Sequence, residues 1–277
     1  MQSEQFRLTR ILHDQLRGRP GFSIAFDAPV VSVRQDETGV EIELGRQGAS
    51  VRRTGRWLIG ADGARSAVRR SLEIEFEGFT WPERFLVVST PFDFSKVIPD
   101  LAPVSYVADP QRWHFLLQIP GFCRVMFPVR RDESDQIAVR PAFVESLMST
   151  IVPGLSGYEV AHVTLYEVHQ RVAKTFRLGR VLLAGDAAHI NNPLGGMGMN
   201  GGIHDAINLT TRLAEVWHGI SPDIKYRNTI GSADWLRSNT FKASRYATNA
   251  TLSRTGSSLG ARYAISPPTR YARASIC

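Results

Sequence analysis

The chain has 277 residues, 43% of them hydrophobic and 9% aromatic, which suits one large domain or two ordinary ones and excludes a wholly disordered chain. No run of about 18 apolar residues occurs and the N-terminus has no apolar signal-peptide core, so no transmembrane helix or secretion is expected. The net charge of +7 sits in residues 221–277, with nine Lys and Arg against two Asp; the body is neutral, and its ligand is not expected to be nucleic acid.

Residues 5–17 carry Phe6, Leu8, Ile11, Leu12 and Leu16 at helical spacing, and Gly18 with Pro20 stops the helix. A short extended segment follows at 23–26. Residues 30–33 and 40–44 alternate apolar with polar side chains across Asp36–Gly39, the pattern of a hairpin. Residues 51–59 end in Trp57-Leu58-Ile59, a buried-strand signal that runs into Gly60-Ala-Asp-Gly63. Short strands then dominate at 85–89, 104–108, 113–119 and 123–129. A helix is predicted over 141–151 and a strand over 158–170. Residues 180–184 form a short apolar strand, and a glycine-rich stretch leads into a helix over about 202–217. Residues 221–277 have weak apolar periodicity, 15 Ser or Thr, and no Glu or Gln. Cys123 and Cys277 are the two cysteines; they make no disulfide framework or CxxC metal spacing, and fit a reducing, cytoplasmic compartment.

Two segments carry chemistry. In 181–202 a strand ends on Gly185-Asp186, and Gly195, Gly196 and Gly198 precede a helix. Glycines let backbone approach a ligand, and a helix N-terminus favours negative charge. Asp186 at a strand end suits a ribose-like hydroxyl chain, because carboxylates accept hydrogen bonds. In 58–70 a buried strand meets Asp62-Gly63, then Ser66 and Arg69. Read singly, each segment also fits a plain role: a glycine-rich turn capping a helix, and an Asp-Gly turn with Ser66 as helix cap. The two together point to one shared ligand cleft.

The pair resembles the two downstream fingerprints of FAD-dependent aromatic hydroxylases, the class A flavoprotein monooxygenases of the p-hydroxybenzoate hydroxylase type. Asp62, Gly63, Ser66 and Arg69 match the Asp-Gly fingerprint. Gly185, Asp186, Ala187, Ala188 and His189 match the Gly-Asp fingerprint. Pro193, Gly195, Gly196, Gly198 and Asn200, with Met199 between the last two, match the family's glycine loop; Asp205, Ala206, Asn208 and Leu209 match its helix. The resemblance covers roughly residues 5–217. It implies an α/β fold: an incomplete Rossmann-like FAD-binding domain, 1–75 with 171–220, holding an inserted β-sheet-rich substrate domain, 76–170, ahead of an atypical basic tail, 221–277. It implies Asp186 on the ribityl chain of FAD, the Gly195–Asn200 backbone on the isoalloxazine, and Asp62 with its neighbours at the pyrophosphate and ribityl region. His189 is expected to pack and orient rather than transfer protons.

The implied reaction uses NADPH or NADH and O2 to hydroxylate a small aromatic, phenolic substrate. A related FAD enzyme such as a halogenase or prenyl reductase, or a non-catalytic fragment, is the alternative. The family's first strand with its Gly-x-Gly-x-x-Gly turn has no counterpart at the start of this chain, and exposed sheet edges and apolar faces are expected in its place. No catalytic residue and no metal site is assigned. His114 and Arg124 are the candidates for contacting a phenol or carboxylate.

Overall fold

The computed structural model describes residues 5–46, 49–191, 198–222 and 224. These fall into two compact units: Pro82–Glu167, and Gln5–Trp81 with the described residues from Val168 onward. The chain passes between the units along β5 (Phe76–Thr90) and again along β9 (His162–Ala173).

The larger unit opens with α1 (Gln5–Leu16), which buries none of its residues; Phe6, Ile11 and Leu12 are each more than half exposed. The segment after it stays irregular. The strand expected at 23–26 does not form: Asp27 takes a positive φ of 53°, and Phe22, Ile24 and Phe26 are exposed with no strand beside them. β1 (Val30–Gln35), β2 (Val40–Arg46) and β3 (Ala49–Gly55) then make an antiparallel sheet in that order. Asp36 closes the first hairpin by accepting the Thr38 and Gly39 amides at 2.7 and 3.0 Å. The single strand predicted over 51–59 is broken at Arg56-Trp57, so β3 stays in the hairpin sheet and β4 (Leu58–Gly60) joins another.

That second sheet has the order β10 (Arg177–Leu178), β11 (Val181–Leu183), β4. β4 lies at its edge, and Ile59 is 40% exposed there. β11 is fully buried on both faces. Val181 and Leu183 pack with Val33, Val40 and Val68, the last from α2 (Ala67–Ser71). Leu182 packs with Leu209 of α5 (Gly198–Trp217) and with Ile224. A strand apolar at every position fits this two-sided burial. Gln35 fixes the approach to β11: its side chain donates to Leu178 O and accepts from Arg180 N. β12 (His189–Ile190) pairs antiparallel with the end of β9.

In the smaller unit, β6 (Val104–Val107), β7 (His114–Ile119) and β8 (Phe122–Val129) form an antiparallel meander, and the second half of β5 pairs antiparallel with β8. One face, with Leu86, Val88, Leu116, Val125 and Phe127, packs on Val144, Leu147 and Met148 of α4 (Pro141–Met148). A half-buried ion pair anchors the turn into α3 (Asp135–Ala138). Arg112 grips Glu133 through both guanidinium nitrogens and also donates to Pro128 O at 3.0 Å. Burial alone would raise the Glu133 carboxyl, but hydrogen bonds from Arg112 and the Arg130 amide outweigh it and hold the group below its ordinary 4.5.

Glu133→Gln should therefore destabilise the protein by about 1 kcal/mol at neutral pH, the modest figure reflecting solvent screening of the pair. The lowered folded pKa means this contribution is full above 4.5 and is lost as the pH falls through the folded value. Urea melts of the two proteins should differ at pH 7, and the difference should shrink as the pH is taken progressively below 4.5.

Candidate functional site

Parallel pairing brings the two sequence segments together. Val181, Leu182 and Leu183 lie against Leu58, Ile59 and Gly60, and the Ala184 amide donates to Gly60 O at 3.0 Å. Both strands end at one level, so the chain turns away from the sheet at 61–66 and at 185–187 side by side. The carboxyl ends of parallel strands are where such sheets open a crevice. Gly60 is needed for the approach: a Cβ there would stand 2.9 Å from Leu183 Cδ2 and from Val68 Cγ1.

Arg69 ties the two turns to each other. It is only 5% exposed, donates to Ala187 O and to Ala64 O, both at 2.8 Å, and lies over the Phe76 ring at 3.7 Å. Its reach is committed to backbone and ring, so it positions the turns. Ser66 accepts the Arg69 amide at 2.9 Å, the N-cap expected from the sequence. Gly63 has φ of 79°, a conformation glycine adopts freely, and open space where a Cβ would be.

The two aspartates sit at corresponding strand ends with opposite allegiances. Asp62 serves the protein: Oδ1 accepts the Ser66 hydroxyl at 2.5 Å, and Oδ2 accepts the Ala67 and Val68 amides at 2.6 and 3.1 Å. Asp186, in the 3-10 turn Gly185–Ala187, is exposed and makes no hydrogen bond to any described residue. Its carboxylate faces a cavity of about 440 Å³ lined by Ile59, Ala61, Gly63, Gly185, Asp186 and Gly202, among others. A volume of that size suits a cofactor or small ligand, and the walls are mainly apolar, with Asp186 the one charged group among the residues that line it.

Helix α5 supplies another wall. Gly198, Met199 and Asn200 form its exposed first turn, and no acidic side chain stands there to offset its positive end. The helix begins four residues earlier than its apolar pattern indicated, because glycines hide periodicity without preventing helix. Pro193, Gly195 and Gly196 lie outside the described residues. The spacing Gly196-x-Gly198-x-x-Gly201 does spell the six-residue glycine pattern, but it runs into the first turn of α5 rather than following a first strand. Gly202 closes on the turn, with its Cα 3.9 Å from where a Cβ of Gly185 would stand.

His189 is buried, with Nε2 2.8 Å from Asp205 Oδ2, and Asp205 also accepts the Gly185 amide at 2.8 Å. Asp205 was readable only as part of a family motif. Its physical signal is position: it falls between Gly201 and Leu209 on the buried four-residue stripe of α5, where a carboxylate needs a partner.

The substrate candidates separate. His114 does not fit the expected contact role: it is 2% exposed, on the face of the meander that packs against α4, tilted against Phe127. Desolvation lowers its pKa and keeps it neutral. Arg124 lies on the opposite face, with Phe85, Trp113, Phe115 and Met126. His169 is half-buried and pairs with Thr80 Oγ1 at 2.8 Å. Among the described residues no three His, Cys, Asp or Glu cluster as metal ligands, and no helix is long and apolar enough to cross a membrane.

The contrast between the aspartates has a measurable form. Asp62→Ala should destabilise the protein by about 1 kcal/mol through the lost α2 cap. Asp186→Ala should leave stability within about 0.5 kcal/mol, as for a surface group with no partner among the described residues. Urea denaturation of both variants checks this.

Comparison with known proteins agrees with this geometry. Residues 2–224 match the family described as FAD binding domain. Para-nitrophenol 4-monooxygenase of Pseudomonas sp. (strain WBC-3) is 37% identical over 217 residues, 76% of this chain and 53% of that protein. 6-Hydroxy-3-succinoylpyridine 3-monooxygenase HspB of Pseudomonas putida (strain DSM 28022 / S16) is 36% identical over 222 residues, 79% of this chain and 56% of that protein. The chain thus spans about half the length of these curated relatives. Among solved structures, p-nitrophenol 4-monooxygenase PnpA from Pseudomonas putida DLL-E4 superposes with a TM-score of 0.74 at 26% identity, covering 90% of this chain and 67% of that one. Aklavinone-11 hydroxylase, solved with FAD and aklavinone, gives a TM-score of 0.67 at 29% identity, covering 78% and 42%. Paired parallel strand ends, the Asp186 cavity and a family match over most of its length place this chain in the FAD-binding domain family of the flavoprotein aromatic monooxygenases.

Proposed function

We propose that this chain carries the ribityl and isoalloxazine half of an FAD site in a monooxygenase that hydroxylates a phenolic ring with NAD(P)H and O2. The observation that carries the reading is the Asp186 carboxylate, exposed at a largely apolar cavity and without a hydrogen-bond partner among the described residues. A polyhydroxyl chain is the ligand chemistry that such an acceptor serves. The named relatives, a nitrophenol and a hydroxypyridine monooxygenase, act on aromatic rings and support the substrate class.

Bound FAD would supply the redox chemistry, taking electrons from the nicotinamide and passing oxygen from O2 to the ring. The protein's own residues have the remaining tasks. Asp186 holds the ribityl hydroxyls. The first turn of α5 presents backbone amides and its positive end to the electron-rich ring, a preorganised field that stabilises negative charge without reorganisation. Asp62, Ser66 and Arg69 hold the Gly63 turn open beside it. Ile59, Ala61 and Leu209 keep water from one side of the cavity. In the smaller unit, the sheet face with Phe85, Trp113, Phe115 and Tyr166 offers aromatic contacts to a substrate ring, and Arg124 on that face is suited to a phenolate or carboxylate. A cytoplasmic compartment fits, since it supplies NAD(P)H and keeps the buried Cys123 thiol reduced.

Riboflavin contains the ribityl chain and the ring but no pyrophosphate. If this chain holds that half of the ligand, riboflavin and FAD should bind it with affinities within about tenfold of each other. Both should be weaker than micromolar, where the whole binding free energy is only about 8 kcal/mol. Asp186→Ala should weaken both ligands by about tenfold to a hundredfold, the effect of one charge-assisted hydrogen bond. Flavin fluorescence titrations measure all four constants. Unchanged constants in Asp186→Ala would refute the assigned role.

A further inference from the structure

Resting on that reading of the cavity, we propose that Asp205 and His189 form a buried positioning pair that locks the Gly185–Asp186 turn onto helix α5 and so aims the Asp186 carboxylate at the flavin. Asp205 is 1% exposed and His189 2%. Both hydrogen bonds converge on one atom: the Gly185 amide and the His189 ring nitrogen Nε2 each lie 2.8 Å from Asp205 Oδ2. The Gly185 amide can only donate, so Oδ2 is an acceptor there, and Nε2 must carry the ring proton that points to it. His189 Nδ1 is buried without a partner among the described residues, so Asp205 alone supplies a hydrogen bond that orients the ring.

The pair joins three elements at the place where the site needs them joined. Gly185 opens the 3-10 turn with φ of 60°, and Asp186 is the next residue. Asp205 lies two turns into α5, whose residues Gly202 and Ala206 line the same cavity. His189 begins β12 and shares an edge-on contact with Phe176. Gly201, one helical turn before Asp205, makes room for the imidazole: a Cβ there would stand 3.3 Å from His189 Cε1. An apolar pair of the same volume would pack this interface without burying a carboxylate. What the polar pair adds is one defined register between turn and helix, because a directional bond to the Gly185 amide is lost on sliding by a residue.

The test compares Asp205→Asn, Asp205→Ala, Asp186→Ala and the double variant Asp205→Ala/Asp186→Ala in the full chain. Two readouts are used: hydrogen exchange of the Gly185 amide, and FAD affinity by fluorescence. Asn keeps an oxygen able to accept both donors, so Asp205→Asn should retain Gly185 protection within about threefold. Asp205→Ala should speed exchange at Gly185 by about tenfold to a hundredfold, while amides of β1, β2 and β3 are unchanged. Asp205→Ala should also weaken FAD, yet add less than about twofold once Asp186 is already Ala, because it acts through Asp186. The proposal is overturned by unchanged Gly185 exchange in Asp205→Ala. It is equally overturned if exchange rises throughout the unit in both Asp205 variants, or if the two affinity losses multiply. A wild-type chain that takes no FAD at millimolar flavin would sink the cofactor reading instead, and the exchange data would still show whether the lock exists.

Discussion

The parallel pairing of β4 with β11 is the constraint on which the site depends. Three residue pairs, Leu58 with Val181, Ile59 with Leu182 and Gly60 with Leu183, decide where two turns separated by more than a hundred residues emerge. The register has little freedom. Leu182 must face α5 while Val181 and Leu183 face the hairpin sheet and α2, and a shift by one residue would exchange these faces. It would also carry Asp186 away from the cavity. Gly60 adds a steric condition, since any side chain there meets Leu183 and Val68. Sheet register thus sets the geometry of the ligand-facing carboxylate before any ligand is considered.

The two aspartates show how local spacing assigns roles to identical side chains. Asp62 stands five and six residues ahead of the first two amides of α2, near enough for one of its oxygens to reach back and cap them. Those amides have no partner inside the helix, so the bond is favourable and the carboxylate is retained by the protein. Asp186 lies within a single 3-10 turn, two of whose flanking amides are already engaged. Ala188 N donates to Gly185 O, and Gly185 N donates to Asp205. The Asp186 side chain accepts from none of the described residues and lines the cavity.

Much of this architecture was legible in the residues. The alternation in 40–44, the Asp36–Gly39 turn and the all-apolar Val181–Leu183 each predicted the element that forms, and the two fingerprints predicted the cleft. What was not legible depended on tertiary partners. β5 runs fifteen residues rather than five, because its first part pairs around Gly78, where a Cβ would overlap Gln170 O at 2.0 Å. The segment 23–26 reads as a strand by composition and has no neighbour to pair with. Period-two alternation in β7 separated His114 from Phe115 but did not say which face meets α4. Asp205 was overlooked as a working residue because helical periodicity was counted on apolar positions, and its stripe contains a carboxylate.

The electrostatic arrangement of α5 follows from the same pair of bonds. A carboxylate two turns into a helix would ordinarily oppose the positive end that an electron-rich ligand requires. Asp205 is the acidic residue of α5 nearest that end, yet it is turned to the flank of the cavity and held by a backbone amide and an imidazole. Its field is partly balanced by those two donors, whereas the first-turn amides at Gly198, Met199 and Asn200 have no acidic side chain beside them. The helix lines the cavity with Gly202 and Ala206, and its buried Asp205 carboxylate is held by these two bonds. Fixed dipoles act on a ligand only as well as they are held in place. The bond from the Gly185 amide to Asp205 therefore also ties the helix to the turn that carries Asp186.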